Sequence, residues 1–376
     1  VAYYYWMMTL AYGAVPYFED DMTSDSPDLM RGQKSFEWMI DWLDNQFLEL
    51  SKVLPDSWST LYGGRATKLA ALALRARILL FAASPLVNGN EWYLGFKNSD
   101  GEERFSQAYD ANKWKKAADA CKQLIDEAEK KGKGLYIVNN KENGKVDPFM
   151  SCYGATMRTE GEGNNEIIWF RPKGNYGDWE QHGTPRGCGG NGGLGVTQSL
   201  VDAFECEDGK TIEESEVYDP KEPYLHRDPR LAVTVLAPGN LYEGKRYDPI
   251  DVKDPNGDYY APYGRSKTGY LVRKYVDDLS DYADMWDCGM NAIVMRYAEV
   301  LLMYAECKIE LNQIDNSVYD ILDDIRTRAK MPVVDRTRYT GQEKLRELLR
   351  RERRVELAME GFGGSIFAVG KSVNKC

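Results

Sequence analysis

Between Arg65 and Ser84 the chain reads RATKLAALALRARILLFAAS, an alanine- and leucine-rich run bounded by Pro85. Small side chains let a helix approach its neighbours closely, and proline ends it because its nitrogen has no hydrogen to donate. Such a helix demands packed partners. Two patterns flank it. SFEWMIDWLDNQFLELSKVL puts Phe36, Met39, Ile40, Trp42 and Leu43 near one helical face, followed by Phe47 and Leu50. NKWKKAADACKQLIDEAEKKG is predicted to start on an Asn cap and to stop before Gly132.

Helices return near the end. AIVMRYAEVLLMYAECKIEL carries Met295, Ala298, Leu301, Leu302 and Ala305 at helical spacing, and NSVYDILDDIRTRAK and TGQEKLRELLRRERRVELAMEGF follow. Helix pairs with Ala and Tyr or Leu at recurring offsets resemble tetratricopeptide-type hairpins, each burying its face on the next. From about residue 135 to 290 the character changes. Gly, Pro, Asn, Asp and Tyr dominate, interrupted by short extended pieces (EIIWF, YLVRKYV) and one helix, TQSLVDAFE. The expected fold is mainly α: a tetratricopeptide-like helical-hairpin scaffold at 1–132 and 291–362, with a few short strands. Long irregular loops over 133–290 would carry recognition. Residues 1–362 then form one domain.

Composition narrows the function. Lys and Arg total 48 against 59 Asp and Glu, a formal net charge of -11, so a polyanion such as nucleic acid is a poor partner. The seven cysteines include no C-x-x-C pair, which removes the zinc and thioredoxin-like spacings. Only two histidines, His182 and His226, are present, against 25 tyrosines and nine tryptophans. General-base and metal chemistry lose their commonest side chain, whereas amphipathic rings suit the gripping of something flat and polar.

Individual motifs fail their structural requirements. Gly187, Gly189 and Gly192 have G-x-G-x-x-G spacing, but HGTPR precedes them and Pro185 breaks the strand that a dinucleotide site needs. FEDDM and DVKDPNGD offer oxygens to calcium yet match no EF-hand loop, and read better as solvated turns. No cofactor is expected. No G-x-S-x-G elbow occurs, and no pair among the carboxylates stands out as a glycosidase pair.

The aromatics of the irregular segments say more. IIWFRPKGNYGDWEQHG strings Trp169, Tyr176, Trp179, Gln181 and His182 along a glycine-interrupted stretch. NEWYLGF adds Trp92 and Tyr93, GDYYAPYG adds Tyr259, Tyr260 and Tyr263, and DMWDCG adds Trp286. One such ring is usually core, but a cluster on loops suggests contact. A sugar ring offers an apolar face to stack on them, and Asn, Gln, Arg and Asp take its hydroxyls.

Several stretches, in order along nearly the whole chain, resemble the SusD/RagB family of outer-membrane nutrient-binding lipoproteins: YGAVPYFEDD, GRATKLAALALRARILLFAA, TQSLVDAFECEDGK, RDPRLAVTVLAPG, GYLVRKYVDD, VMRYAEVLLMYAEC and RRERRVELAMEGF. The resemblance implies a non-catalytic protein, lipidated at an N-terminal Cys and facing outward from the outer membrane. It implies a SusC-like TonB-dependent transporter as partner and a glycan as ligand. Peptides or other oligomers are the alternative cargo, and a glycoside hydrolase the remaining one. The family's loop before TQSLVDAFE makes Tyr176, Trp179, Gln181 and His182 the leading candidate contacts, with Trp92, Tyr260, Tyr263 and Trp286 beside them. The chain opens on VAYYYWMMTLAYG, which reads as the middle of a helix, so the family's leader, lipid-bearing Cys and first helices have no counterpart in it.

The tail after Phe362 departs from the family. Its Gly370-Lys371-Ser372 is not a phosphate loop, since position 365 is Ser where that motif needs Gly. The family expects an aromatic, Arg-rich continuation. One permissible coding of residues 363–376, read with a single C placed in front, gives Arg-Trp-Phe-Asp-Ile-Arg-Arg-Trp-Lys-Ile-Gly-Lys-Gln-Met. Residues 363–376 are therefore expected to be the product of a single-base deletion in the gene or its sequencing. Resequencing that finds an intact frame refutes this.

Overall fold

The computed structural model of the protein describes residues 1–27, 29–98, 100–158, 163–172, 177–250, 258–259, 266–276 and 291–361. The fold is mainly α, as expected, with three two-stranded antiparallel sheets among the described residues. Two compact units divide it. One holds Val1–Lys131 and Met303–Ile314, and the other Gly132–Leu302 and Asp315–Gly363. Residues 315–361, however, group with the loop-rich middle rather than with the first helical region.

In the first unit, α1 (Ala2–Tyr12), α2 (Phe36–Val53), α3 (Lys68–Ala83) and α4 (Asn112–Lys130) follow in order. The α3 helix is the run that opens the sequence argument. It is buried nearly all round, from Leu69 to Ala83, and packs on both α2 and α4. Thr67 Oγ1 accepts from the Ala70 amide at 3.3 Å and caps it. Its polar reaches inside the unit include Lys68, which pairs with Glu127, and Arg75, whose Nε lies 2.5 Å from Asp44 and which also donates to Gln123 at 2.9 Å. The α2 helix buries Phe36, Met39, Ile40, Leu43 and Phe47. Trp42, expected on that face, is half-buried and meets Tyr17 and Tyr5 at ring distances of 4.9 and 5.3 Å. The α4 start differs too: Asn112 is its first residue, and Asp110 Oδ1 accepts the Asn112 amide at 2.9 Å.

The second unit contains α5 (Pro148–Met157), β1 (Ile167–Arg171), α6 (Gly177–Gly183), α7 (Gln198–Ala203) and α8 (Pro229–Thr234). The short strands β2 (Val235–Leu236), β3 (Leu241–Tyr242), β4 (Lys245–Arg246) and β5 (Leu271–Val272) follow, then β6 (Ala292–Arg296). Next come α9 (Tyr297–Glu310), whose residues from Met303 count with the first unit, α10 (Asn316–Arg328) and α11 (Gln342–Glu356). The predicted helix beginning at Ala292 is shorter than expected. Its first five residues are β6, paired antiparallel to β1 with Ile167 opposite Arg296. Adjacent β-branched Ile293 and Val294 favour that extended pairing. The last helix likewise ends at Glu356, with turns to Gly361 in place of the expected continuation to Phe362.

Candidate functional site

Three of the four leading sequence candidates, Trp179, Gln181 and His182, fall on α6. His182 is exposed and Gln181 half-buried. Trp179 is half-buried and packs on two apolar clusters, one around Phe204, Leu231 and Val235, the other around Leu236, Tyr242 and Leu271. Its indole nitrogen is buried without a partner among the described residues. The glycine-rich segment that follows folds back over α6. Asn191 donates its amide to the Gln181 carbonyl at 2.7 Å, Gly192 to Thr184 at 2.9 Å and Leu194 to His182 at 2.9 Å. Glycine is required there by space. A Cβ on Gly190 would stand 2.3 Å from the Thr184 carbonyl oxygen, and one on Gly193 2.8 Å from His182 Nδ1. Before Gly187, where a dinucleotide site needs a strand, stands α6, and Gly187 itself lies in a short 3-10 turn, Arg186–Cys188. Tyr176, Tyr260, Tyr263 and Trp286 lie outside the described residues.

Trp92 belongs to the first unit, in a 3-10 turn over Glu91–Tyr93, and is 65% exposed. The loop carrying it is braced. Asn88 Nδ2 donates to the Ala83 and Asp110 carbonyls at 3.2 and 3.0 Å, and Asn90 Oδ1 accepts the Trp92 amide at 3.1 Å. Gln107 Oε1 accepts from Gly95 at 3.0 Å, and Asn98 Nδ2 reaches the Gln33 carbonyl at 2.9 Å. Tyr93 stacks on Phe105 at 4.3 Å, and Phe105 on buried Phe36 at 5.4 Å. With Tyr93 turned inward, Leu94 and Phe96 are left outward beside Trp92, each 51% exposed. Neither was among the expected contacts.

The chemistry-bearing groups of the second unit are instead buried and mutually committed. Strand pairing of β1 with β6 puts Glu166 2.6 Å from Arg296. Arg296 also reaches Glu356 at 2.7 Å and Glu360 at 2.8 Å, and Arg328 pairs with Glu166 at 2.9 Å and with Glu356. Arg230 holds Asp228 at 2.7 Å, Glu356 at 3.1 Å and Glu352, while Arg326 bridges Glu205 and Glu352 at 2.8 and 3.2 Å. Lys274 meets Glu360 at 2.6 Å, and Arg351 stands 2.7 Å from Glu205. Six carboxylates thus face six cations.

Desolvation pushes the Glu356 carboxyl up, but Arg328, Arg296 and Arg230 together hold it well below the usual range. Glu352 and Glu360 are lowered in the same way against their own desolvation, by Arg230 and Arg326 and by Arg296 and Lys274. A general acid needs the opposite shift. A small cavity beside the network is lined by Cys152, Thr156, Arg230, Lys274, Arg296 and Glu356 among others. It has room for roughly one water. Burial pushes the Cys152 thiol up to about 11, so it is not a poised nucleophile.

Among the described residues no cluster of His, Cys, Asp or Glu can hold a metal ion. Asp258, from the second acidic stretch, accepts the Gly187 amide at 2.9 Å and that of Asp248 at 3.3 Å. Its oxygens tie a turn. No helix among the described residues is long and apolar enough to cross a membrane.

A sequence model described as the SusD family matches residues 149–363, more than half the chain. Among solved structures, one named BT4246 superposes with a TM-score of 0.82 at 24% identity, over 98% of this chain and 72% of its own. A SusD-like protein from Bacteroides fragilis gives 0.73 at 23% identity, over 98% and 66%. A SusD-like carbohydrate binding protein from the same species gives 0.72 at 25% identity, over 96% and 63%. The chain therefore spans about two thirds of the length of these relatives. Among curated proteins, none matches it.

Proposed function

Because the chain belongs to the SusD family, we propose that it binds a glycan without catalysis at the outer surface of the outer membrane. It hands that ligand to a SusC-like TonB-dependent transporter, and a lipid on the complete protein anchors it there. The family is generally carbohydrate-binding and outer-membrane-associated, and one solved relative carries carbohydrate binding in its name.

The observation that carries the reading is the division of labour between side chains. Large aromatics stand on a braced loop, with Trp92 mostly in solvent, whereas the clustered carboxylates are sealed among arginines. A flat ring held in place at a surface suits the apolar face of a sugar. Carboxylates kept ionised inside a salt-bridge network suit no acid–base cycle.

Affinity electrophoresis of the complete protein in gels cast with a broad panel of polysaccharides tests this. At least one should retard it while releasing no reducing sugar. Sustained release of reducing sugar would make it a hydrolase. Calorimetric binding of oligopeptides with no polysaccharide retained would move the cargo to peptides.

A further inference from the structure

The loop from Asn88 to Asp110 exposes more apolar surface than its packing requires. Trp92, Leu94, Phe96 and Tyr109 are 65%, 51%, 51% and 58% exposed on one short segment. A single exposed apolar residue needs no explanation, but several on one segment mark an interaction surface.

This segment is held before any ligand arrives. Amide side chains of Asn88, Asn90 and Gln107 satisfy its backbone, Asn98 ties it to the Gln33 carbonyl, and the Tyr93–Phe105–Phe36 stack pins its inner side. Phe96 and Arg104 close a small turn, the Arg104 amide donating to the Phe96 carbonyl at 2.9 Å, and Phe96 sets its ring edge-on to Tyr93 at 6.4 Å. Gly89, at φ 69, lets the chain pass close to Tyr109, where a Cβ would lie 2.4 Å from the Tyr109 amide nitrogen. Binding to such a surface costs little ordering of its own side chains.

Charge decides between ligand classes. Glu91, Asp100, Glu102 and Glu103 flank the rings, against Lys97 and Arg104. Lys97 lies 3.8 Å from Glu103, and Arg104 donates to Asn98 at 3.0 Å. Asp100 accepts the Glu102 amide at 3.0 Å and Glu102 the Asn98 side-chain amide at 3.5 Å, each through one oxygen. The negative charges of Glu91, Asp100 and Glu102 repel anions, and carboxylate oxygens are acceptors for sugar hydroxyls.

We infer that Trp92, Leu94, Phe96 and Tyr109 form a preorganised stacking platform for uncharged pyranose rings, and that its acidic rim selects a neutral glycan over a uronate-bearing or sulfated one. This rests on the glycan-binding reading above.

The test uses the full chain in native gels containing matched pairs on one backbone: hydroxyethyl cellulose with carboxymethyl cellulose, dextran with dextran sulfate, and methyl-esterified pectin with pectate, alongside other neutral polysaccharides. At low ionic strength the neutral polymers should retard the protein at least tenfold more strongly than charged ones. Calorimetry with oligosaccharides of the retained polymer should show Trp92→Ala and Phe96→Ala each weakening affinity by about tenfold. Both positions are exposed, so the melting temperature should not move. The double variant Glu91→Gln, Glu102→Gln should narrow the gap between neutral and charged polymers several-fold. Equal or stronger retention by the charged polymers overturns the selectivity, as does a gap that the double variant leaves unchanged. Undiminished affinity in folded Trp92→Ala and Phe96→Ala overturns the platform while leaving glycan binding standing. No retention of the wild type by any polymer removes the function and the platform together.

Discussion

Glu356 shows how much one residue can carry. Its carboxylate accepts from Arg296 and Arg328 and from Arg230 at 3.1 Å, with almost no exposure to water. Replacing it with Gln keeps the shape but leaves three buried guanidinium groups sharing one countercharge fewer, with Glu166, Glu360, Asp228 and Glu352 still beside them. Breaking one partner of a buried pair costs about 3–5 kcal/mol. Urea unfolding of Glu356→Gln should show a loss of that size, and a loss below about 1 kcal/mol would mean that the network relaxes around the missing charge. Gly190 tests a different constraint. Its Cβ would meet the Thr184 backbone, which cannot swing away as a side chain can. Gly190→Ala should destabilise by about 1–3 kcal/mol and displace the segment that packs on His182. Thermal melts measure the first effect, and amide exchange at Asn191, Gly192 and Leu194 the second.

At the scale of elements, α11 and the turns after it set Glu352, Glu356 and Glu360 four residues apart, on one face of a helix pattern. That row meets Arg230 from α8, Arg296 from β6, and Arg326 and Arg328 from α10. The same element therefore sets how stability depends on pH. The carboxylates of Glu352, Glu356 and Glu360 are depressed in the folded state by their cations despite desolvation. Their contribution is present above the unfolded carboxylate value of about 4.3 and is lost as pH falls through the lower folded values. Lys274 does not oppose this. Desolvation lowers its pKa, so its titration makes stability rise with pH, the same sign as the carboxylates. Denaturation midpoints should stay level from about pH 6 to 8 and drop steeply below about pH 4.3. Glu356→Gln should flatten the acid limb. A midpoint that keeps falling at the same slope in that variant would assign the limb to other groups.

At the scale of the whole molecule, the helices were legible because their signal is local. The spacing of Leu69 to Ala83 and the stop at Pro85 lie within one short stretch, and α3 follows them closely. The weaker expectations failed where a distant partner competed. Residues 292–296 satisfy a helical spacing, yet β1 draws them into a strand that no neighbouring residue announces. The candidate site divided in the same way. Aromatics on irregular segments could be seen as a group, and Trp92 is indeed presented to solvent. Trp179 sits in a similar local sequence but packs on two apolar clusters, because α6 is folded under the glycine-rich segment. Nothing in DWEQHG distinguishes a ring that faces water from one that faces Phe204.

The string RRERRVELAMEGF has the same double nature. On its own it is a highly charged amphipathic helix, and its charges would ordinarily be assigned to solvent. Its sequence determined the helix, the four-residue spacing of its glutamates and the family resemblance, all properties of short-range order. Burial of those glutamates was decided by tertiary structure, since it depends on arginines 26 to 126 positions away. The same holds for the outward turn of Trp92, which depends on the Tyr93–Phe105–Phe36 stack and so on a residue more than fifty positions earlier in the chain. A charge or a ring has no fixed meaning in a sequence. Its environment gives it one, and the environment is made by residues that only folding brings near.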